Sequence, residues 1–171
     1  SSEIFKNLID AGHLPYAGWL MTDGYQVYRE FVKRLRCWAH FVRKAKGLSE
    51  CYSALPRQQG TEVLDTLNTL MDAVYKAREG PPNHKPESIA ADHVQRLGKL
   101  RKTCELMSRS KHEKTRALGV EFLRDWDAIF RVLEHPHLPL TNNEAERVLR
   151  HWVIMRRLTQ GTRTELGSRV L

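Results

Sequence analysis

No apolar run in the sequence approaches the length of a membrane span, and the first residues lack a charged segment followed by an apolar one. Neither a membrane helix nor a secretory leader is expected. Cysteine is scarce. Cys37, Cys51 and Cys104 are odd in number and irregular in spacing, which argues against a disulfide framework and for a reducing, cytoplasmic setting. Internal repeats and low-complexity segments are missing too. Acid is scarce locally. Between Arg29 and Lys46 the basic residues, among them Arg34, Arg36, Arg43 and Lys44, share the chain with one acid, Glu30. Beyond Glu146, residues Arg147, Arg150, Arg156, Arg157, Arg163 and Arg169 face a lone Glu165. A net charge of +8 over 171 residues, clustered in this way, favours a polyanion, and nucleic acid is the commonest one. The bland alternative is a set of solvated helix faces. Charge alone gives no groove, no sequence preference and no chemistry.

The patterning is mostly helical. Ser1 to Ala11 reads as a helix ended by Gly12, with Ile4, Phe5, Leu8 and Ile9 as its stripe. Trp19 to Thr22 reads as a buried strand closed by the Asp23-Gly24 turn signal, and Gly24 to Val32 as a short helix. Lys33 to His40 is either a second strand or the start of the next helix. From Thr61 to Arg78, Val63, Leu64, Leu67, Leu70, Met71, Val74 and Tyr75 keep helical spacing. Three prolines and a glycine make Glu79 to Ser88 a loop. A further helix from Ser88 or Glu87 turns Ile89, Val94, Leu97, Leu100, Cys104 and Met107 inward. Another, from about Lys111 to Glu134, buries Leu118, Phe122, Trp126, Ile129 and Leu133. The fold class is therefore α/β and mostly helical. It divides into an α/β segment over 1–46, a helical insertion over 47–135 and a C-terminal helical segment over 136–171. One or two strands cannot bury both faces of a parallel sheet, so the chain is expected to be a fragment of a larger domain.

The final helix opens "LPLTNNEAERVLRHW". Thr141 and Glu144 have capping-box spacing, and Ala145, Val148, Leu149 and Trp152 form an apolar stripe. Glu146 has no capping role. It lies on a flank with Asn142, Asn143 and Arg150, where the ordinary role is an i,i+4 ion pair to Arg150 worth a few tenths of a kcal/mol. Asp23 sits at the C-terminal tip of the first strand, where open α/β sheets present functional groups; taken alone it is simply a turn residue. Together, a strand-tip carboxylate and a helix-borne one can converge on Mg2+, a hard cation that prefers oxygen. The first turns of a helix also keep a carboxylate ionised. Cys37-x-x-His40 is half of a zinc site with no second pair at a convincing spacing, since Cys51, Cys104 and His112 are scattered. If these two residues lay on a strand they would point to opposite faces, which argues against a nucleophilic pair and leaves packing as their role. His135 and His137 read as loop residues, and Trp19, Trp38, Trp126 and Trp152 as core anchors.

The stretches "MTDGYQVY", "CWAHFVRKA" and "NNEAERVLR", in this order, resemble the successive motifs of DDE-type bacterial transposases of the insertion sequence 66 family, along nearly the whole chain. The resemblance implies an RNase H-like fold, partial here, interrupted by a helical insertion. It implies that the second catalytic aspartate falls on Asp23 and the catalytic glutamate on Glu146, both as ligands of a two-ion Mg2+ (or Mn2+) site. Cys37, His40, Asn142, Asn143 and Arg147 become supporting motif residues. Arg34, Arg36, Arg43, Lys44, Arg150, Arg156 and Arg157 become contacts to DNA, meaning transposon ends and target, with a homo-oligomer compatible and no membrane partner. Two departures stand out. The family's first aspartate has no counterpart, because Asp10 lies near the end of a helix, so the chain is not expected to act alone. Thr141 also stands where the family usually has aspartate. Two rivals stay open: a non-enzymatic basic helical DNA-binding or scaffold module, and an inactive remnant.

Overall fold

In the computed structural model, the described residues are 17–80, 89–144, 146–148, 150 and 154. Those up to Thr141 form one compact unit and those from Asn142 form another. The expected helix over Ser1 to Ala11, Asp10 within it, and the residues Trp152, Arg156, Arg157, Arg163, Glu165 and Arg169 lie outside the described set.

The first unit is mostly helical and includes a two-stranded parallel sheet. Strand β1 (Leu20–Thr22) pairs with β2 (Arg34–Arg36) in the register Leu20↔Arg34, Met21↔Leu35 and Thr22↔Arg36. The link between them contains a 3-10 helix, Gln26–Glu30, where a short helix was expected. Only Thr22 of β1 is buried, so the strand is less enclosed than its apolar run suggested. In β2 the middle residue Leu35 faces one way while Arg34 and Arg36 share the other face, as the two-residue period of a strand requires.

Both readings of Lys33 to His40 apply to part of it. The strand ends at Arg36 and helix α1 (Trp38–Ser49) begins one residue after Cys37, which serves as its N-cap. The Trp38 backbone amide donates to the Leu140 carbonyl at 2.9 Å and its indole N–H donates to the Ile129 carbonyl at 2.7 Å, which anchors the start of α1.

Helix α2 (Ala54–Glu79) begins seven residues before the expected Thr61. Pro56 does not prevent this, because the first helical turn has no intrahelical partner for its N–H anyway. Val63, Leu67, Leu70 and Val74 are buried as their spacing predicts, whereas Tyr75 is 42% exposed. Next come α3 (Ile89–Asp92) and α4 (Val94–Ser108), a helix interrupted at His93. Leu100, Cys104 and Met107 point inward, but Val94 is 63% exposed because it falls at the interruption.

The long helix expected up to Glu134 is broken. Helix α5 (Glu113–Arg124) stops at Asp125, α6 (Trp126–Phe130) resumes, and a 3-10 helix, Arg131–Leu133, follows. The start of α5 is capped by the His112 ring, which accepts from the Thr115 amide. The core joins all of these helices. Phe41 lies 4.7 Å from Phe122 ring to ring, and Phe130 lies 5.9 Å from Trp38 and 4.5 Å from Trp126. Gly60 and Gly119 allow the closest helix approaches: a Cβ at either would sit 2.6 Å from backbone nitrogen of Ser49 or Ser108. No helix among the described residues is long and apolar enough to cross a membrane.

In the second unit, the described residues from Asn143 are helical. The Glu146 amide donates to the Asn142 carbonyl at 2.9 Å, so Asn142 is the residue that accepts the first intrahelical bond. The helix thus opens one residue later than the capping box at Thr141 places it. Val148, expected on the buried stripe, is 71% exposed.

Candidate functional site

Asp23 follows β1 and is exposed. Its Oδ1 accepts from the Tyr25 amide at 3.2 Å, the local turn that aspartate side chains favour. Gly24 takes φ 109°, a conformation that other residues adopt only with strain. The Asp23 carbonyl accepts from Arg36 Nη2 at 3.0 Å. A Cβ on Gly24 would collide with that same nitrogen, so the turn and the guanidinium fit only with glycine there.

Arg36 is the hub beneath this turn. Its side chain is fully buried, lies 4.9 Å over the Phe41 ring, and pairs with both Asp125 and Glu121. Asp125, also without side-chain exposure, takes a second guanidinium from Arg34 at 2.8 Å and a third from Arg124 at 3.4 Å. Glu121 in turn accepts from Lys44 at 2.5 Å. Burial pushes the Asp125 carboxyl up, but the hydrogen bond from Arg34 and the charges of Arg36, Arg34 and Arg124 outweigh it and hold the group below its ordinary value. A knot of this kind requires all its members, because removing one leaves a buried charge without its partner.

The sequence reading missed Asp125. A signal was available: Phe122, Asp125, Trp126 and Ile129 follow i, i+3, i+4 and i+7, so a carboxylate stands on the apolar stripe of a helix. A charge in that position must find a partner or break the helix, and here it does both. Arg34 and Arg36, expected at DNA, are instead spent on Asp125 and Glu121; Arg36 offers a polyanion no accessible face. Arg43 and Lys44 remain exposed on α1.

Cys37 is buried at the start of α1 and His40 is half-buried within that helix, so neither stands on a strand and the opposite-faces argument does not apply to them. Cys51 Sγ lies 3.8 Å from His112 Nε2. Burial, then the charges of Glu62 and Glu105, push the Cys104 thiol up to about 12. No group of three or more His, Cys, Asp or Glu side chains that could hold a metal occurs among the described residues. Asp125 and Glu121 are not available to a cation, since guanidinium and ammonium groups occupy them. In the second unit Asn142 is half-buried, while Asn143, Glu146, Arg147 and Arg150 are exposed.

These features define a mostly helical protein with a short parallel strand pair and a carboxylate at its tip. A family model described as "Transposase IS66 family" matches residues 1–170, and the chain belongs to that family. It is also 27% identical over 131 residues to an uncharacterized protein, y4jO, of Sinorhizobium fredii. That match covers 77% of this chain and 38% of the relative, so the chain spans little more than a third of the relative's length. No solved structure matches.

Proposed function

We propose that the chain is part of a transposase catalytic domain that cleaves and transfers DNA strands with divalent metal, with Asp23 and Glu146 as metal ligands within a partial RNase H-like fold. The observation that carries this reading is the exposed Asp23 carboxylate at the tip of a parallel strand, held by a backbone turn rather than consumed in an ion pair. Its donor set is hard oxygen, which fits Mg2+ or Mn2+. When bound, the ions would activate an attacking oxygen and steady the leaving one.

The chain's own residues do the rest. Arg36 holds the Asp23 turn through the carbonyl, so that the carboxylate is presented outward. Arg147 and Arg150, exposed on the helix that carries Glu146, neutralise backbone phosphates and orient the DNA. The family's first aspartate, and with it the rest of the metal site, would come from residues beyond this chain in a longer polypeptide; the relative's greater length supports that.

The test is Mg2+-dependent strand transfer on a labelled duplex by a polypeptide extended upstream of this chain. Asp23→Asn and Glu146→Gln should each abolish transfer while DNA binding persists. Transfer that survives Glu146→Gln would overturn the metal-site reading and leave a basic DNA-binding module.

A further inference from the structure

A cavity of about 340 Å3 opens between α1 and α5, with Arg43 and Lys44 of the second motif on one wall. Its cations are Arg43 and Lys44 from α1 and Lys114 from α5; its small residues are Gly47 and Ala117; its one acid is Glu121. Lys44 and the buried Arg36 already occupy that acid. The Arg43 and Lys114 side chains make no ion pair or hydrogen bond among the described residues and are exposed. The cavity therefore carries a net positive charge that no other described residue neutralises.

Leu48 and Leu118, each only 2% exposed, close the floor of the groove. A Cβ added at Gly47 would meet nothing within 4 Å, so the α1 wall is open to a chain lying along it. A second, larger cavity, about 740 Å3 between α2 and α4, makes a useful contrast. It holds Arg57, Arg96 and Lys99 but also Glu62 and Asp65, and Lys99 pairs with Glu62 at 3.2 Å. Its charges are largely balanced.

We infer that the α1/α5 groove docks the sugar-phosphate backbone of DNA, with Arg43 and Lys114 as the two grips and Lys44 at the rim. The inference rests on the DNA partner named above but on neither its metal site nor its catalysis. It brings in Lys114, a residue that no motif marks. It also links the bound strand to the Asp23 turn, since Lys44 pairs with Glu121, Glu121 with Arg36, and Arg36 with the Asp23 carbonyl.

The experiment is fluorescence anisotropy of a labelled 20-base-pair duplex, an experimental choice of about two helical turns, titrated with the whole chain in EDTA across a KCl series. Arg43→Gln with Lys114→Gln should weaken binding by about tenfold and lower the salt slope by about two, because each phosphate contact contributes about 0.9. Gly47→Glu, which puts an acid into the groove without touching either cation, should weaken binding in the same direction. Arg57→Gln with Arg96→Gln, in the balanced cavity, should leave affinity and slope near wild type; circular dichroism checks that all variants fold. Unchanged binding in both the Arg43/Lys114 variant and Gly47→Glu overturns the groove while leaving the metal-site reading standing. An equal loss in the Arg57/Arg96 variant overturns it too, since the effect is then only net charge. If the wild-type chain binds no duplex in EDTA, the DNA partner itself fails, and the groove with it.

Discussion

Phe122 and Asp125 are three residues apart, both with fully buried side chains, and opposite physics holds them. Phe122 packs against the Phe41 ring at 4.7 Å, in a core of aromatic and aliphatic side chains drawn from α1, α2, α4 and α5. Asp125 is enclosed by the guanidinium groups of Arg34, Arg36 and Arg124. Burial of apolar surface is non-directional, so the first environment tolerates exchange for another apolar side chain of similar volume. The second depends on charge and on direction, and tolerates almost none. The tolerant region gives the unit its bulk, and the intolerant one fastens the Asp23 turn to the helices.

A set of substitutions and one labelling experiment probe that contrast. Asp125→Ala should cost about 3–5 kcal/mol, because it strands Arg34 and Arg36 without their carboxylate; the urea midpoint followed by tryptophan fluorescence measures it. Asp125→Asn tests the same residue by pH. The folded-state value of Asp125 is lowered, so its contribution is complete above the ordinary carboxylate value of about 3.9 and is lost as pH falls through the lower folded value. Wild type should therefore lose stability below about pH 4 more steeply than Asp125→Asn. Equal slopes would show that the knot is not ionised as drawn.

In the apolar region, Phe122→Ala should cost about 3–5 kcal/mol but Phe122→Leu less than about 1.5. If Phe122→Leu matched Phe122→Ala, the tolerance claimed for the core would be wrong. Gly24→Ala should cost about 1–3 kcal/mol from the positive φ, with further cost from the Arg36 guanidinium in its way. Its loss should be smaller in an Arg36→Met background, where that obstacle is gone. Thiol labelling at pH 8 should modify Cys51 fast and leave Cys104 protonated and unreactive in the native state, its value being pushed to about 12. The smallest effect belongs to Val94→Asp, within about 0.5 kcal/mol by thermal melting, because the residue is 63% exposed.

Much of the helical pattern was legible. The stripes through Val63 to Val74 and Leu100 to Met107 found their core because a three-to-four-residue period has one reading in a helix. The Asp23-Gly24 turn was legible for a similar reason: both residues favour that backbone locally, and Gly24 takes φ 109°. Other features were hidden. The early start of α2 at Ala54 was masked by Pro56, which reads as a breaker except in a first turn. The exposure of Val94 followed from an interruption at His93 that no local signal announced. Arg34 and Arg36 looked like partners for nucleic acid because their counter-charge lies about ninety residues along the chain.

Local backbone preference and apolar spacing were thus enough to say where helices run, where the chain turns, and that its motifs resemble those of the IS66 transposases to which the family match assigns it. Folding in three dimensions sorted the charges: it spent Arg34 and Arg36 on Asp125 and left Arg43 and Lys114 facing solvent. The reason is range. A helix or turn follows from residues within a few positions of each other, whereas a buried ion pair exists only once packing has brought distant segments together and excluded the water that would otherwise screen them.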